Sequence, residues 1–181
     1  MTSRELYVRT LQQQTVERIP RDLWYVPYII MYRKDEYEKL INKFPLDNTG
    51  INGFHYGKSP YTKGKVYRKG SYIDDFGSVW DVLEDGIAGE VKNPIIKTKA
   101  DLDKYRLPWE ILDNAIVSEN QADTYKQTDL FVLAGTMVRP FERMQFLRGS
   151  EQLFYDIADE DPIFLLGRIG QTKNFTFRYA R

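Results

Sequence analysis

The chain of 181 residues has no cysteine and a single histidine. The absence of cysteine excludes disulfide bonds and thiol chemistry, and it is typical of proteins from a reducing compartment. No apolar run approaches the roughly 18 residues of a membrane-spanning helix, and no signal-peptide core follows Met1. We therefore expect a cytoplasmic protein with no membrane partner.

Charge of one sign is also missing, because 26 basic residues balance 26 acidic ones. Such a balance gives no electrostatic reason to expect a nucleic-acid partner. Hydrophobic residues make up 42% of the chain and aromatic residues 14%, which is ample for a buried core. The composition thus favours a globular protein.

The most informative segment is Leu130 to Gly149, which reads LFVLAGTMVRPFERMQFLRG. The unbroken apolar run from Leu130 to Ala134 predicts a strand buried on both faces. Pro140 suits the first turn of a helix, because the N–H that it lacks would be unpaired there, and Gly149 ends that helix. The segment therefore predicts one β-to-α step of a parallel sheet.

The junction of this step is a predicted substrate-binding position. In α/β folds the substrate meets the carboxyl ends of the strands and the loops that follow them. Thr136, Met137 and Arg139 occupy that place in the sequence, and Arg139, just before the helix, is the expected anion ligand. Arg143 and Arg148 follow at helical positions, where pairing with Glu142 or Glu151 is the expectation.

Capping boxes predict two further helices. Thr2-x-x-Glu5 begins the first helix, and Thr98-x-x-Asp101 begins a short one. Ser150 is expected to open a helix with Leu153, Phe154 and Ile157 on one face.

Several motifs together resemble the uroporphyrinogen decarboxylase superfamily. They are the Gly-x-x-x-x-Pro-Phe segment at 135–141, an opening TSREL helix followed by Glu17-Arg18-Ile19-Pro20 and a strand-like Asp22-Leu23-Trp24, and the acidic stretches YIDDFGSVW at 72–80 and DGIAGEV at 85–91. Members of this superfamily are (β/α)8 barrels. The resemblance covers most of residues 2–166.

The resemblance implies an α/β fold, a partial (β/α)8 TIM barrel. A complete barrel needs about 250 residues, so we expect its amino-terminal half. Residues 1–166 would form the uroporphyrinogen decarboxylase-like partial barrel. Residues 167–181 form an atypical basic tail, either a frameshifted end or an ordinary terminal strand. A homodimer would cover the open sheet edges of such a half-barrel, and the sequence leaves its formation open.

The resemblance also implies a lyase that needs no cofactor and decarboxylates a small-molecule substrate, a tetrapyrrole, in porphyrin biosynthesis. In such enzymes a buried carboxylate stabilises the charged pyrrole intermediate, and arginines of an R-Q-A-G-R loop after the first strand bind substrate carboxylates. The equivalent segment here, Tyr25 to Ile30, has no arginine. The first alternative is a corrinoid-linked methyltransferase, which would use zinc and a corrinoid protein. Its one-His, two-Cys zinc site cannot be built from His55 alone, so no metal is expected. The second alternative is a non-catalytic remnant or binding module.

Three acids are the predicted catalytic residues, namely Asp74, Asp75 and Glu90. The apolar surface of Phe76 and Trp80 beside the two aspartates would raise the pKa of a neighbouring carboxyl group, and shifted pKa values are typical of catalytic acids. The alternative is that they are turn carboxylates, because aspartate favours turns for conformational reasons.

An aromatic cluster supplies the remaining substrate-binding candidate. Trp24, together with Tyr25, Tyr28 and Tyr32, would line a pocket for a flat substrate. The alternative is that these side chains belong to the hydrophobic core.

Overall fold

The computed structural model describes residues 1–50, 54–117, 125–134 and 139–159. Thr136, Met137 and the basic tail at 167–181 lie outside these ranges. The helices are α1 (Ser3–Leu11), α2 (Pro27–Tyr32), α3 (Lys34–Lys43), α4 (Lys99–Lys104), α5 (Glu110–Asp113), α6 (Pro140–Arg148) and α7 (Ser150–Ala158). The strands are β1 (Asn48–Gly50), β2 (Phe54–His55), β3 (Gly70–Ile73), β4 (Val79–Val82), β5 (Ile116–Val117) and β6 (Phe131–Leu133).

The chain divides into two compact units. The described residues of unit 1 fall within Met1–His55 and Ile116–Thr136, and those of unit 2 fall within Tyr56–Ala115 and Met137–Arg181. The described strands form three two-stranded ladders, of which β1–β6 is parallel and both β2–β5 and β3–β4 are antiparallel. The parallel pair agrees with the predicted parallel step, while the (β/α)8 barrel stays a prediction.

In unit 1, α1 packs against β6 of the parallel ladder. The Thr2 hydroxyl accepts the Glu5 N–H and the Glu5 carboxylate accepts the Thr2 N–H, which confirms the predicted capping box. Tyr7 stacks on Phe131 of β6 with ring centroids 4.7 Å apart. Among the described side chains of this unit, Leu6 and Asp47 are the buried ones. Unit 1 therefore has a thin apolar core.

A buried carboxylate compensates in part for that thin core. Asp47, at 2% exposure, accepts hydrogen bonds from the guanidinium of Arg18 at 2.6 and 2.7 Å. The Ser3 hydroxyl donates at 2.6 Å and the Arg21 N–H at 2.7 Å. The Arg18 guanidinium holds the pKa of the Asp47 carboxyl far below its usual range. Asp47 thus fastens α1 and the 18–21 segment to the start of β1.

Unit 2 has the larger core. It contains the buried residues Phe76, Ile96, Leu102, Leu107 and Leu147. The Tyr105 hydroxyl donates to the Phe76 carbonyl at 2.9 Å, which links α4 to the turn between β3 and β4. Helix α4 begins at the predicted Thr98 capping box, and α6 begins at Pro140 as predicted.

Two local predictions are wrong. The segment Asp22-Leu23-Trp24 forms no strand. The backbone hydrogen bond next to it is made by Arg21, whose carbonyl accepts the Asp47 N–H at 3.0 Å. The strand predicted at 130–134 exists at Phe131–Leu133, but it is not buried on both faces, because Leu133 is 40% exposed. The helix predicted from Ser150 is confirmed as α7, in which Leu153 and Asp156 are buried and Phe154 and Ile157 are exposed.

None of the helices in the described ranges is both long and apolar enough to cross a lipid bilayer.

Candidate functional site

Asp74, the first predicted catalytic acid, lies in the turn between β3 and β4. One carboxylate oxygen, Oδ1, accepts the N–H groups of Phe76 and Ser78, both at 2.9 Å. The other, Oδ2, accepts the indole N–H of Trp80 at 3.0 Å and the Arg143 guanidinium at 2.7 Å. A carboxylate with both oxygens engaged in this way fixes the turn and holds α6 against it. The geometry supports the alternative that Asp74 is a turn carboxylate. Asp74 also forms an ion pair with Arg143, which the sequence did not predict.

Arg143 is the partner that the sequence did not reveal, because it lies 69 positions from Asp74. Its guanidinium carbon is 3.9 Å from the centroid of the Phe76 ring and 5.5 Å from that of Phe146. The Asp74 and Arg143 side chains are 15% and 13% exposed. Such a pair, largely removed from water, is costly to break.

Tyr72 borders this ion pair. Its ring stacks on Trp80 with centroids 6.0 Å apart. Burial, followed by the charge of Asp74, raises the pKa of the Tyr72 hydroxyl to about 12. The phenol therefore stays protonated at neutral pH.

Replacement of Asp74 by alanine tests whether this carboxylate stabilises the fold. We expect the free energy of unfolding to fall by about 2–3 kcal/mol, because Arg143 would remain largely buried without its carboxylate. The matched control is Asp75→Ala in the same turn, with an expected loss below about 1 kcal/mol. Urea unfolding followed by circular dichroism measures both variants. Equal losses in the two variants would contradict the structural role of Asp74.

Asp75 and Glu90, the other predicted acids, have different surroundings. The Thr62 hydroxyl donates to Asp75 Oδ1 at 2.5 Å. The Glu90 side chain is exposed, and its backbone pairs with Asp81 of β4. A general acid or base should lie within hydrogen-bond reach of its substrate and be tuned by its environment. These contacts do not test the catalytic roles of Asp75 and Glu90, which stay predictions.

Of the three residues at the predicted substrate-binding junction, Arg139 lies within the described ranges. It is the N-cap residue of α6, and its guanidinium pairs with the Glu142 carboxylate at 3.0 Å. Its side chain is 70% exposed. Thr136 and Met137, the other two members, lie outside the described residues. Arg143 and Arg148 do not pair with Glu142 or Glu151, since their partners are Asp74 and Asp156.

The Trp24 segment forms a groove in unit 1. Its volume is about 630 Å³, and its lining is mostly aromatic and aliphatic. The lining residues are Leu23, Trp24, Tyr25, Val26, Ile29, Arg33, Glu36, Tyr37 and Leu40. The Trp24 side chain is 85% exposed, and Leu40 is 45% exposed. The core alternative for Trp24 is therefore wrong.

Two short helices shape this groove. Pro27 begins α2, whose N-cap Val26 has extended backbone geometry, and α3 follows after Arg33. Tyr25 contacts Tyr37 edge to face, with ring centroids 4.8 Å apart. No residue of α2 or α3 is buried, so the apolar face of this helical pair is open. The sequence signal was available, because positions 33, 36, 37 and 40 share one face of a helix.

One ion pair lies in the groove. The Arg33 Nε donates to Glu36 Oε1 at 2.9 Å, and the Arg33 Nη2 donates to Glu36 Oε2. The two side chains are 53% and 61% exposed. The hydrogen bond from Arg33 lowers the pKa of the Glu36 carboxyl, and the same bond raises the pKa of the Arg33 guanidinium. The pair is charged at neutral pH.

The described residues contain no group of three or more histidine, cysteine, aspartate or glutamate side chains that could hold a metal ion. His55 lies in β2, where it pairs with Ile116 through the backbone.

Comparisons with protein-family models, with curated proteins and with solved structures found no match to this chain. The resemblance to uroporphyrinogen decarboxylases rests on the motifs quoted above.

Proposed function

We propose that the chain is a relative of the uroporphyrinogen decarboxylase superfamily that binds a flat, largely apolar ligand of the tetrapyrrole class in the groove at residues 23–40. The observation that carries this proposal is the position of Trp24 and Tyr25. They line an open aromatic groove. In the superfamily that this sequence resembles, the same segment contains the substrate-binding loop.

The size and character of the groove support a small-molecule ligand. Sites for such ligands have volumes of roughly 300–1,000 Å³ and are lined mainly by apolar and aromatic side chains with a few polar groups. The groove, at about 630 Å³, falls within that range. Stacking of a flat ring on Trp24 would use the large area that this side chain exposes.

Binding is better supported than decarboxylation for the described residues. Decarboxylation of a pyrrole would require a carboxylate free to stabilise a charged intermediate. Asp74 instead directs both oxygens at donors from its own turn, Trp80 and Arg143. We therefore propose ligand binding rather than decarboxylation for this chain. The proposal keeps the sequence-based expectations of a cytoplasmic location and no cofactor.

Replacement of Trp24 by alanine tests the groove. The probe is mesoporphyrin IX, titrated against the purified chain while its visible absorption and its quenching of tryptophan fluorescence are followed. We expect Trp24→Ala to weaken binding about tenfold, because loss of one stacked aromatic contact is worth about 1–2 kcal/mol.

The matched control is Phe154→Ala, which removes an exposed aromatic side chain of α7 (54% exposed). This variant should bind mesoporphyrin IX like the parent chain. Absence of binding by the parent chain, or equal binding by Trp24→Ala and the parent, would refute the proposed function.

A further inference from the structure

Positive charge is concentrated in one segment of unit 2, although the whole chain has a net charge of zero. Residues 56–69, hereafter the basic segment, contain five basic residues and no acidic one. Tyr56, Tyr61 and Tyr67 are interleaved with them. The overall balance of charge therefore conceals a local surface that attracts anions. The basic residues, all of them exposed, are Lys58, Lys63, Lys65, Arg68 and Lys69.

The fold holds the basic segment through its backbone and its short side chains. Lys63 and Ile73 of β3 exchange two backbone hydrogen bonds, at 2.8 and 3.2 Å, on the side of β3 that faces away from β4. The Ser59 hydroxyl donates to the Asp75 carbonyl at 2.6 Å. No lysine side chain takes part in these contacts, so the cations are available to a partner.

Most of the cations in the basic segment lack a carboxylate partner. Arg68 pairs with Asp85 at 2.8 Å, and its side chain is 50% exposed. Like charges that lie close together repel one another, and an anionic partner would relieve that repulsion. The lysines that form no ion pair with any residue of the described ranges are Lys58, Lys63, Lys65 and Lys69.

Tyr67 is exposed in a backbone conformation that tyrosine rarely adopts. Its φ is +59°, in the left-handed region, and the residue is 36% exposed. The Gly86 N–H donates to the Tyr67 carbonyl at 2.8 Å, and the Asp85 carboxylate accepts the Lys69 N–H at 2.7 Å. Such conformations persist only where their surroundings fix them, and they cluster at functional sites. The fold thus presents an aromatic ring among the lysines.

We propose that the basic segment binds single-stranded nucleic acid, with its lysines on the phosphates and a base stacked on Tyr67. Proteins that bind single strands without sequence preference combine positive charges that follow the backbone with aromatic side chains on which bases stack. The cations are spread from Lys58 to Lys69 rather than gathered around one point, which suits an extended chain of phosphates. The proposal is independent of the groove in unit 1.

Lysine variants test the contacts to phosphate. The probe is a fluorescein-labelled oligothymidylate of about 20 nucleotides, whose anisotropy is followed as the purified chain is added. If three or four lysines contact phosphates, affinity should fall about 20- to 50-fold between about 50 mM and about 200 mM salt. The double variant Lys63→Gln with Lys65→Gln should bind about tenfold more weakly at the lower salt concentration. Its plot of log affinity against log salt concentration should have about half the slope of the parent chain.

The matched control is Lys34→Gln with Lys39→Gln in α3. Both of these lysines are exposed, and the double variant changes the net charge by the same amount. It should bind oligothymidylate like the parent chain. Equal weakening by the two double variants would assign the effect to overall charge and overturn the role of the basic segment.

Tyr67→Asn tests the stacked base. Asparagine tolerates the left-handed conformation, so the variant removes the ring and keeps the backbone. We expect binding to weaken about five- to tenfold with an unchanged salt slope, because no charge is lost. The far-ultraviolet circular dichroism spectrum checks that each variant is folded. Binding by Tyr67→Asn equal to that of the parent chain would overturn the stacking on which the proposal depends.

Vesicles of phosphatidylcholine and phosphatidylglycerol test the other large anionic partner. Binding of the parent chain to these vesicles but not to oligothymidylate would overturn the proposal in favour of a membrane surface. Absence of binding to oligothymidylate at about 50 mM salt would also reject it. Mesoporphyrin IX binding examines a site in unit 1, so failure of either proposal leaves the other standing.

Discussion

Replacing Arg148 with alanine is expected to lower the free energy of unfolding by about 3–5 kcal/mol, the largest effect among the variants considered. Arg148 donates from Nε and Nη2 to the Asp156 carboxylate at 2.7 and 3.0 Å. It also donates from Nη1 to the carbonyls of Ile96 and Lys97. The two charged side chains are only 11% and 7% exposed. Its removal leaves the Asp156 charge buried beside Gln152 and takes the arginine donor away from the carbonyls of Ile96 and Lys97.

Urea unfolding followed by circular dichroism measures this loss. Arg139→Ala is the control, because it removes an arginine of the same helix whose pair with Glu142 is exposed. The control should lose less than about 1 kcal/mol. Should Arg148→Ala fail to fold, Arg148→Lys keeps the positive charge but not the bidentate fork, and it should lose about half as much. A loss from Arg148→Ala no greater than that from Arg139→Ala would contradict the importance of the buried pair.

Features of the fold that are encoded within a few residues could be predicted from the sequence. The Thr98 capping box needs two side chains three positions apart that can each accept a backbone N–H, and Thr98 and Asp101 are visible in the sequence. Pro140 and Gly149 mark the ends of α6 by their backbone properties alone. These signals are local, so no knowledge of tertiary contacts is required.

Features that depend on distant partners could not be predicted. Asp47 accepts from Arg18 and Ser3, which lie 29 and 44 positions away, and nothing in their spacing indicates a common site. The parallel partner of β6 is Asn48–Gly50, whose polar and glycine-containing sequence has a low strand propensity. Tertiary pairing formed this strand against its local preference.

The groove could be predicted only in part from the sequence. The sequence contained the aromatic residues at 24–32, but whether they were core or ligand-lining depended on what packs over them. Helix α3 supplied the deciding contacts, because Tyr37 and Leu40 line the same groove as Trp24. Aromatic composition alone favoured the core, where such side chains more often lie.

Asp47→Asn is expected to lower the free energy of unfolding by about 2–3 kcal/mol at neutral pH. The Arg18 guanidinium would face a neutral amide, and the hydrogen bond from Ser3 would lose its charged acceptor. The loss is smaller than for a fully buried pair, because the Arg18 side chain is 37% exposed and keeps part of its hydration. Urea unfolding at neutral pH measures this loss. Glu38→Gln, in an exposed pair with Lys34, is the control and should change stability by less than about 0.5 kcal/mol.

The same variant predicts a specific dependence on pH. Hydrogen bonds from Arg18 depress the pKa of Asp47 in the folded chain, whereas an unfolded aspartate has a pKa of about 3.9. A depressed folded pKa gives stability that is fully present above about pH 4 and is lost as the pH falls through that value toward the folded pKa. The stability gap between the parent chain and Asp47→Asn should therefore be constant from pH 7 to pH 5 and narrow between roughly pH 4 and pH 2. Urea titrations at several pH values measure this gap, and a gap that persists unchanged into acid would show that Asp47 does not stabilise unit 1 through its charge.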